Sequence, residues 1–409
     1  MVPAWLTQLL QALHLSIGPE LSLVLWGIIL FTGIAILGQA AVIFMVLMER
    51  KVLAWLTQRK GPNRVGPWGL LQTLADGVKL LFKEDIMTTG QDKLLFTIAP
   101  AIFFLPVFVL YALIPFTDKL LAIPLPTGAL FVFALSSISV VGIVLAGWAS
   151  NNKYSLLGGM RSAAQAISYE IPLVLSVLAV VLYTGTMNIQ EILTAQNAPF
   201  WKWFGIWLTP VSFLIFLISS IAEVNRIPFD LPEAESELVS GYNTEYTGMK
   251  FALFFLAEYA ALFAMSALTV IFFFGGYYSP IGGTLCHTFG WDRAFESAVN
   301  LPGLGQLMQQ FEMITWGLLK TYIFIFIAMW LRGTLPRLKP DQLMGFSWKF
   351  LIPLSLINIF MVALERQWQD TNEVVYGYLW AFVLVFGIGG FCWTMSRFFT
   401  RKLQARFQS

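Results

Sequence analysis

Between Ile221 and Tyr246 the chain reads IAEVNRIPFDLPEAESELVSGYNTEY, with six carboxylates (Glu223, Asp230, Glu233, Glu235, Glu237 and Glu245) and a single base, Arg226. Only 12% of the 409 residues are charged, so acids this dense are out of character for the chain. Carboxylates crowded together and partly buried hold protons more tightly than free ones, so such a cluster can keep and pass protons near neutral pH. The plainer reading of any acidic run is a solvated loop. Part of the stretch also reads as a helix start. Asp230 suits the cap, Pro232 the first turn and Glu233 the third helical position, with Gly241 as the stop. On that helix Glu233 and Glu237 share a face, where like charges repel.

Two ionisable residues lie inside apolar runs. Glu258 sits some eight residues into one, about 12 Å deep at about 1.5 Å per residue. Lys320 lies near the middle of another. A charge at membrane depth costs roughly 2.5–3.5 kcal/mol on insertion scales and marks an ion or proton path by default. The structural alternative is a mutual Glu258–Lys320 ion pair that only fixes packing. Against it stands a series of carboxylates of decreasing exposure: Glu233, Glu235, Glu237, Glu245, Glu223, Glu170, Glu258. Glu170 stands two residues before Pro172. A residue preceding proline is pushed out of helical geometry, so irregular backbone is expected near Ile171, in protein or beside a wet cavity.

The elements that must position these groups are membrane helices. The chain is 57% hydrophobic, with a mean hydropathy of +0.72. A soluble core cannot hide that much apolar surface, so the fold class is an all-α polytopic membrane protein, one integral domain over 1–409. Runs near the span length of ~20 residues occur at 22–48, 94–116, 128–149, 203–222, 250–275, 311–331 and 375–398, with weaker ones at 165–184 and 349–364. That makes about nine spans. The first is too long, and lacks the basic start, to be a cleaved signal. Nine spans divide the connecting segments into two sets. One set carries 20 of the 25 Lys and Arg, and the other carries Lys119, Lys202, Arg293 and Arg366. The positive-inside rule then puts the basic segments and the C-terminus in the cytoplasm and the N-terminus outside.

The basic loop 49–93 opens with Arg50, Lys51, Arg59, Lys60 and Arg64, and is broken at Gly61-Pro62 and Gly66-Pro67. From Pro67 onward Trp68, Leu71, Leu74, Val78 and Leu81 make an apolar stripe opposite Gln72, Asp76, Lys79 and Lys83. The spacing predicts an interfacial amphipathic helix of about 16 residues. It either anchors the chain or floors an opening into the lipid. The two cysteines, Cys286 and Cys392, are too few for an iron–sulfur cluster, and His14 and His287 have no metal spacing. No phosphate loop or dinucleotide fingerprint is present, so no flavin, nucleotide, nucleic acid or metal site is expected in this chain.

Four strings taken together resemble the H subunit family of the proton-pumping NADH:quinone oxidoreductase, respiratory complex I. They are ERKVLAWLTQRKGPNRVGPWGLLQTLADGVKLLFKED, GWASNNKYSLLG with SYE, AEVNRIPFDLPEAESELVSGYNTEYTGMKFALFFLAEY, and LRGTLPRLKPDQLMGFSWK. They cover the basic side of nearly the whole chain between Glu49 and Lys349. The resemblance implies a place at the elbow between membrane and peripheral arms, with peripheral quinone-site and iron–sulfur subunits and small membrane-arm subunits as partners. It implies that Arg50, Arg59, Asp76, Arg226, Phe229 and Asp230 line or border a quinone chamber reached past the first span, the amphipathic helix and the sixth span. It implies that Glu170, Glu223, Glu233, Glu235, Glu237, Glu245 and Glu258 form an acidic funnel from that chamber. No residue of this chain is then catalytic by itself, since electron transfer belongs to the partners' cofactors.

The chain departs from the family by a ninth span and basic tail over 365–409 and a long outer segment from Gly275 to Glu312. Its third span has no carboxylate, so a proton contact there requires hydroxyls or water. A related membrane subunit of an energy-converting hydrogenase or ferredoxin-fed complex is the alternative. A secondary transporter would show two related halves, which are not visible here. A passive anchor leaves Glu258 without a role.

Overall fold

Helices form wherever the sequence stays apolar at length, and no strand occurs among the described residues. The computed structural model describes residues 19–232, 238–285 and 304–368. Its helices are α1 (Pro19–Leu56), α2 (Gln72–Phe82), α3 (Lys93–Tyr111), α4 (Gly128–Ala149), α5 (Lys153–Thr184), α6 (Ile189–Ala195), α7 (Pro210–Glu223), α8 (Gly248–Phe273), α9 (Leu304–Thr334), α10 (Pro340–Phe346) and α11 (Ile352–Trp368). Six stretches among the described residues are long and apolar enough to cross a membrane: α3, α4, α5, α8, most of α9, and the run Pro340–Gln367. The first eight expected runs each fall wholly or partly on a helix, α1 carrying the first over 38 residues. The ninth, 375–398, lies outside the described residues.

Helix α8 is the axis of the bundle. It packs on α1, α3, α7 and α9 and is the most buried of the spanning helices. Helices α3, α4 and α5 stack in sequence order, and α11 closes against α5.

Three expectations from the sequence are corrected. The run 203–222 is helical only from Pro210, as α7, 14 residues long. The non-helical part is buried in protein through Trp203, Phe204 and Leu208, and the Gly205 N–H donates to the Phe273 carbonyl at 2.8 Å. Irregular backbone at depth is tolerated on those terms. Around Pro172, by contrast, α5 stays helical without a break. Proline removes one ladder donor and frees the carbonyl four residues back. That carbonyl, of Ser168, accepts from the Ser347 hydroxyl at 2.5 Å. The segment between the expected spans 128–149 and 165–184 is also mostly helix, because Asn152 caps the Tyr154 N–H at 3.0 Å and α5 starts at Lys153.

The amphipathic element is shorter than expected. Gly66, Trp68 and Gly69 all have positive φ, so the chain turns at Pro67–Gly69 and becomes α-helical only at Gln72, for 11 residues. Gly69 is required there, since a Cβ would lie 2.2 Å from the Pro62 carbonyl oxygen. The apolar stripe points away from the protein, with Leu74, Val78 and Leu81 exposed. An exposed apolar stripe on a polar helix is what an interface-lying element presents to lipid.

Candidate functional site

The loop after α7 carries two different chemistries three residues apart. Glu223 ends α7 and Arg226 follows in the turn, with Asn225 in left-handed geometry between them. Gln165 of α5 fixes this turn, its Nε2 donating to the Ala222 and Phe229 carbonyls, each at 2.7 Å. The loop further on is seated by Gly158, where a Cβ would meet Gly241 Cα at 2.7 Å. Only a glycine lets the backbone at Gly241 lie directly on α5.

On one side of the turn the charges are paired. The Arg226 guanidinium donates to both Glu49 carboxylate oxygens at 3.2 Å and lies 4.1 Å over the Tyr259 ring. Arg332 of α9 bonds the same Glu49 carboxylate. Glu49 is 3% exposed, so this carboxylate ties α1, the turn and α9 together in the interior. Nearby Arg337 bonds Asp230 at 2.8 Å. Arg50 pairs with Asp76, which also accepts from Gln72 at 3.1 Å. Arg59 lies exposed beyond α1, apart from these groups. Phe229 packs into the core, its ring 5.6 Å from that of Tyr169.

Beside this cluster an apolar groove of about 500 Å³ runs between α1 and the Pro67 turn. It is lined by Phe44, Leu47, Met48, Val52, Trp68 and Leu70, with Lys51 at the rim. The Lys51 ammonium donates to the Trp68 carbonyl at 2.5 Å and holds that edge. Glu49 follows Met48 directly, and about 100° of helical rotation turns it from the groove to the arginines.

On the other side of the turn carboxylates gather with hydroxyls instead. Glu223, Glu258, Asn225, Ser136 and Ser139 line a small cavity among apolar residues of α3, α4 and α8. About 30 Å³ of it is open to water centres, room for one or two waters, since one requires roughly 10–15 Å³ on that measure. Glu258 is buried and accepts from the Tyr242 hydroxyl at 2.8 Å. Oε2 of Glu223 is buried with no hydrogen-bond partner among the described residues. Glu170 of α5 accepts from the Ser137 hydroxyl of α4, so the third expected span reaches a carboxylate through a hydroxyl. Glu245 accepts from Asn152 at 2.7 Å, next to Tyr246, which stacks on Phe96 at 4.0 Å. Burial pushes the Tyr246 phenol up from its ordinary value, so it stays protonated.

Glu233, Glu235 and Glu237 lie outside the described residues, as do both cysteines and both histidines. The helix expected after Asp230 lies largely outside the described residues, and the Asp230 carboxylate accepts from Arg337. The Glu258–Lys320 pair does not form. Lys320 donates its three hydrogens to the carbonyls of Phe274, Gly276 and Tyr278. Among the described residues no group of three His, Cys, Asp or Glu could hold a metal ion.

Sequence reasoning missed Glu49, Arg332, Arg337, Tyr242, Ser137 and Gln165. Glu49, Arg332 and Arg337 stand at the ends of apolar runs, where charges read as solvated. Tyr242, Ser137 and Gln165 carry no pattern at all. The one available signal was the spacing of Glu49 and Arg332, each on the basic side of a long run.

The NADH dehydrogenase family model matches residues 28–363. A protein of Brevibacillus brevis is 46% identical over 355 residues, covering 86% of this chain and 96% of its own length. One of Geobacillus kaustophilus is 47% identical over 347 residues, covering 84% and 96%. One of Dehalococcoides mccartyi is 44% identical over 325 residues, covering 80% and 82%. All three are named as the H subunit of NADH-quinone oxidoreductase.

Proposed function

The chain belongs to the NADH dehydrogenase family, and on that premise we propose that it forms the quinone access route and the first proton-coupling stage of an NADH-quinone oxidoreductase. It is a multi-pass membrane subunit of that enzyme and works with the enzyme's other subunits. Quinone is the substrate, and flavin and iron–sulfur chemistry belong to partner subunits. The basic segments face the cytoplasm, where the peripheral subunits dock.

The observation that carries this reading is the turn 223–226. It puts a charge-paired arginine cluster and a carboxylate cavity within one turn of backbone. The groove between α1 and Trp68 suits an isoprenoid tail, because its lining is apolar and it opens beside the exposed stripe of α2. Arg226, Glu49, Arg332, Asp230 and Arg50 then border the route of the polar head. Quinone reduction changes charge near these arginines. Arg226 is rigid, held on Glu49 and Tyr259, so the change reaches Glu223 through the short turn. Glu223 and Glu258 share a small cavity with no Lys or Arg in its lining. A proton taken up there passes by water, Ser136 and Ser139 toward Ser137 and Glu170. Glu233, Glu235, Glu237 and Glu245 supply protons from the basic side.

The test is purification of the chain from its own membrane in mild detergent. Copurified flavin and iron–sulfur subunits, with inhibitor-sensitive NADH:quinone reduction, are expected. A nickel–iron hydrogenase or a ferredoxin-fed module would replace the quinone reading and leave the proton cavity standing.

A further inference from the structure

Past the cavity the core changes character. Met265 of α8 lines the cavity, and Leu268, Ile271, Phe272 and Phe273 beyond it are all buried. The rise from Met265 to Phe273 is about 12 Å of helix buried throughout, with Ser266 and Thr269 its only hydroxyls. Around the end of α8 the rings interlock. Phe274 lies 4.9 Å from Phe213 and 5.0 Å from Phe324, and Phe273 lies 5.5 Å from Phe216.

Lys320 of α9 stands inside this aromatic layer, 7% exposed. Its ammonium donates to the carbonyls of Phe274 at 2.8 Å, Gly276 at 2.9 Å and Tyr278 at 2.6 Å, and lies 4.0 Å over the Trp203 ring. Dipoles and a π face satisfy it, and no carboxylate among the described residues pairs with it. The same helix end also has a neutral solution. Gln196, fully buried, donates to the carbonyls of Ile271 at 2.9 Å and Phe272 at 3.3 Å and accepts from the Gly275 N–H at 3.0 Å. An amide therefore suffices to staple these carbonyls. A cation beside it adds what an amide lacks, a positive charge that three carbonyls and a ring face favour. Fixed charge in a narrow dry layer is how membrane pores turn away hydronium and other cations, and the negative end of the α8 dipole helps hold it.

We propose that Lys320 is a proton-blocking residue whose clamped charge, with the aromatic layer around Trp203 and Phe274, closes the Glu223–Glu258 cavity toward the far face of the membrane. Protons in the cavity then leave only sideways, past the serines of α4. This rests on the reading that the cavity carries protons.

The experiment uses the whole complex in proteoliposomes. A proton gradient is imposed with the enzyme inhibited and no NADH present, and its passive decay is followed. Lys320→Met is expected to speed the decay several-fold while leaving NADH:quinone turnover in detergent essentially unchanged, and Lys320→Arg is expected to restore the slow decay. A Lys320→Met complex as tight as the unaltered one overturns the proposal, since a mere staple would not control leak. Hydroxyl-radical footprinting of the unaltered complex decides independently of any variant. Modification of Met265 with Trp203 and Phe274 untouched supports the seal, and modification of Trp203 overturns it. The cavity reading fails separately, if Glu258→Gln pumps normally while Trp203 stays dry.

Discussion

Glu49, a buried carboxylate, and Glu223, a half-buried one with its Oε2 buried, lie on either side of one turn, and they are treated in opposite ways. Glu49 accepts from two arginines that reach it from different elements. Glu223 shares its cavity with a second carboxylate and with hydroxyls, and its Oε2 has no partner among the described residues. A buried charge with a full set of charged partners stays in one state and fixes geometry. A buried carboxylate without a cation has two states within reach, one of them protonated. One side of the turn is thus a frame and the other a variable, and Arg226 links them.

Breaking the frame should have the largest effect. Glu49→Gln leaves Arg226 and Arg332 facing each other without their anion. Losing one partner of a buried pair costs about 3–5 kcal/mol, so a lower Tm of the purified complex and loss of quinone reductase are expected. An unshifted Tm would show that the cluster is not structural. Glu258→Gln attacks the variable side. Gln can still accept from Tyr242, so assembly is expected intact, while turnover and pumping fall on the order of tenfold, about 1.4 kcal/mol. Normal pumping in that variant removes Glu258 from the path.

Smaller effects sharpen the contrast. Ser137→Ala removes the hydroxyl that α4 gives to Glu170. One such hydrogen bond is worth about 0.5–1.5 kcal/mol, so coupling should drop a few-fold with KM for quinone unchanged. A raised KM instead would move Ser137 to the quinone side. Arg50→Ala opens an exposed pair worth about 0.2–1 kcal/mol. It should raise KM slightly without touching pumping per electron. Val52→Trp narrows the groove and should penalise long-tailed quinones more than short-tailed ones. Equal penalties would count against the groove as the tail's route.

The expectations that failed share a cause. Pro172 was read locally, from the bias of the residue before it. Its freed carbonyl is rescued by Ser347, 179 positions away. The Glu258–Lys320 ion pair, the structural alternative to a proton path, does not form either, although both residues are charged and apolar-flanked. They lie toward opposite ends of the core, one bonded to Tyr242 and the other to the carbonyls past α8.

Residue order alone decides the class of the molecule and where its chemistry lies. Hydrophobic run length dictates membrane helices, because lipid forces every backbone group to be satisfied within the segment. The rarity of charge in such a chain makes Glu223, Glu258 and Lys320 conspicuous. Partnership was left to the tertiary structure. Which carboxylate meets arginines, which meets another carboxylate and which cation meets only carbonyls depends on contacts between helices far apart in sequence. Those contacts are set by packing, Gly158 on Gly241 and α8 among the helices around it. A buried charge takes its function from its neighbours within a few ångströms, and the linear order of residues does not name them.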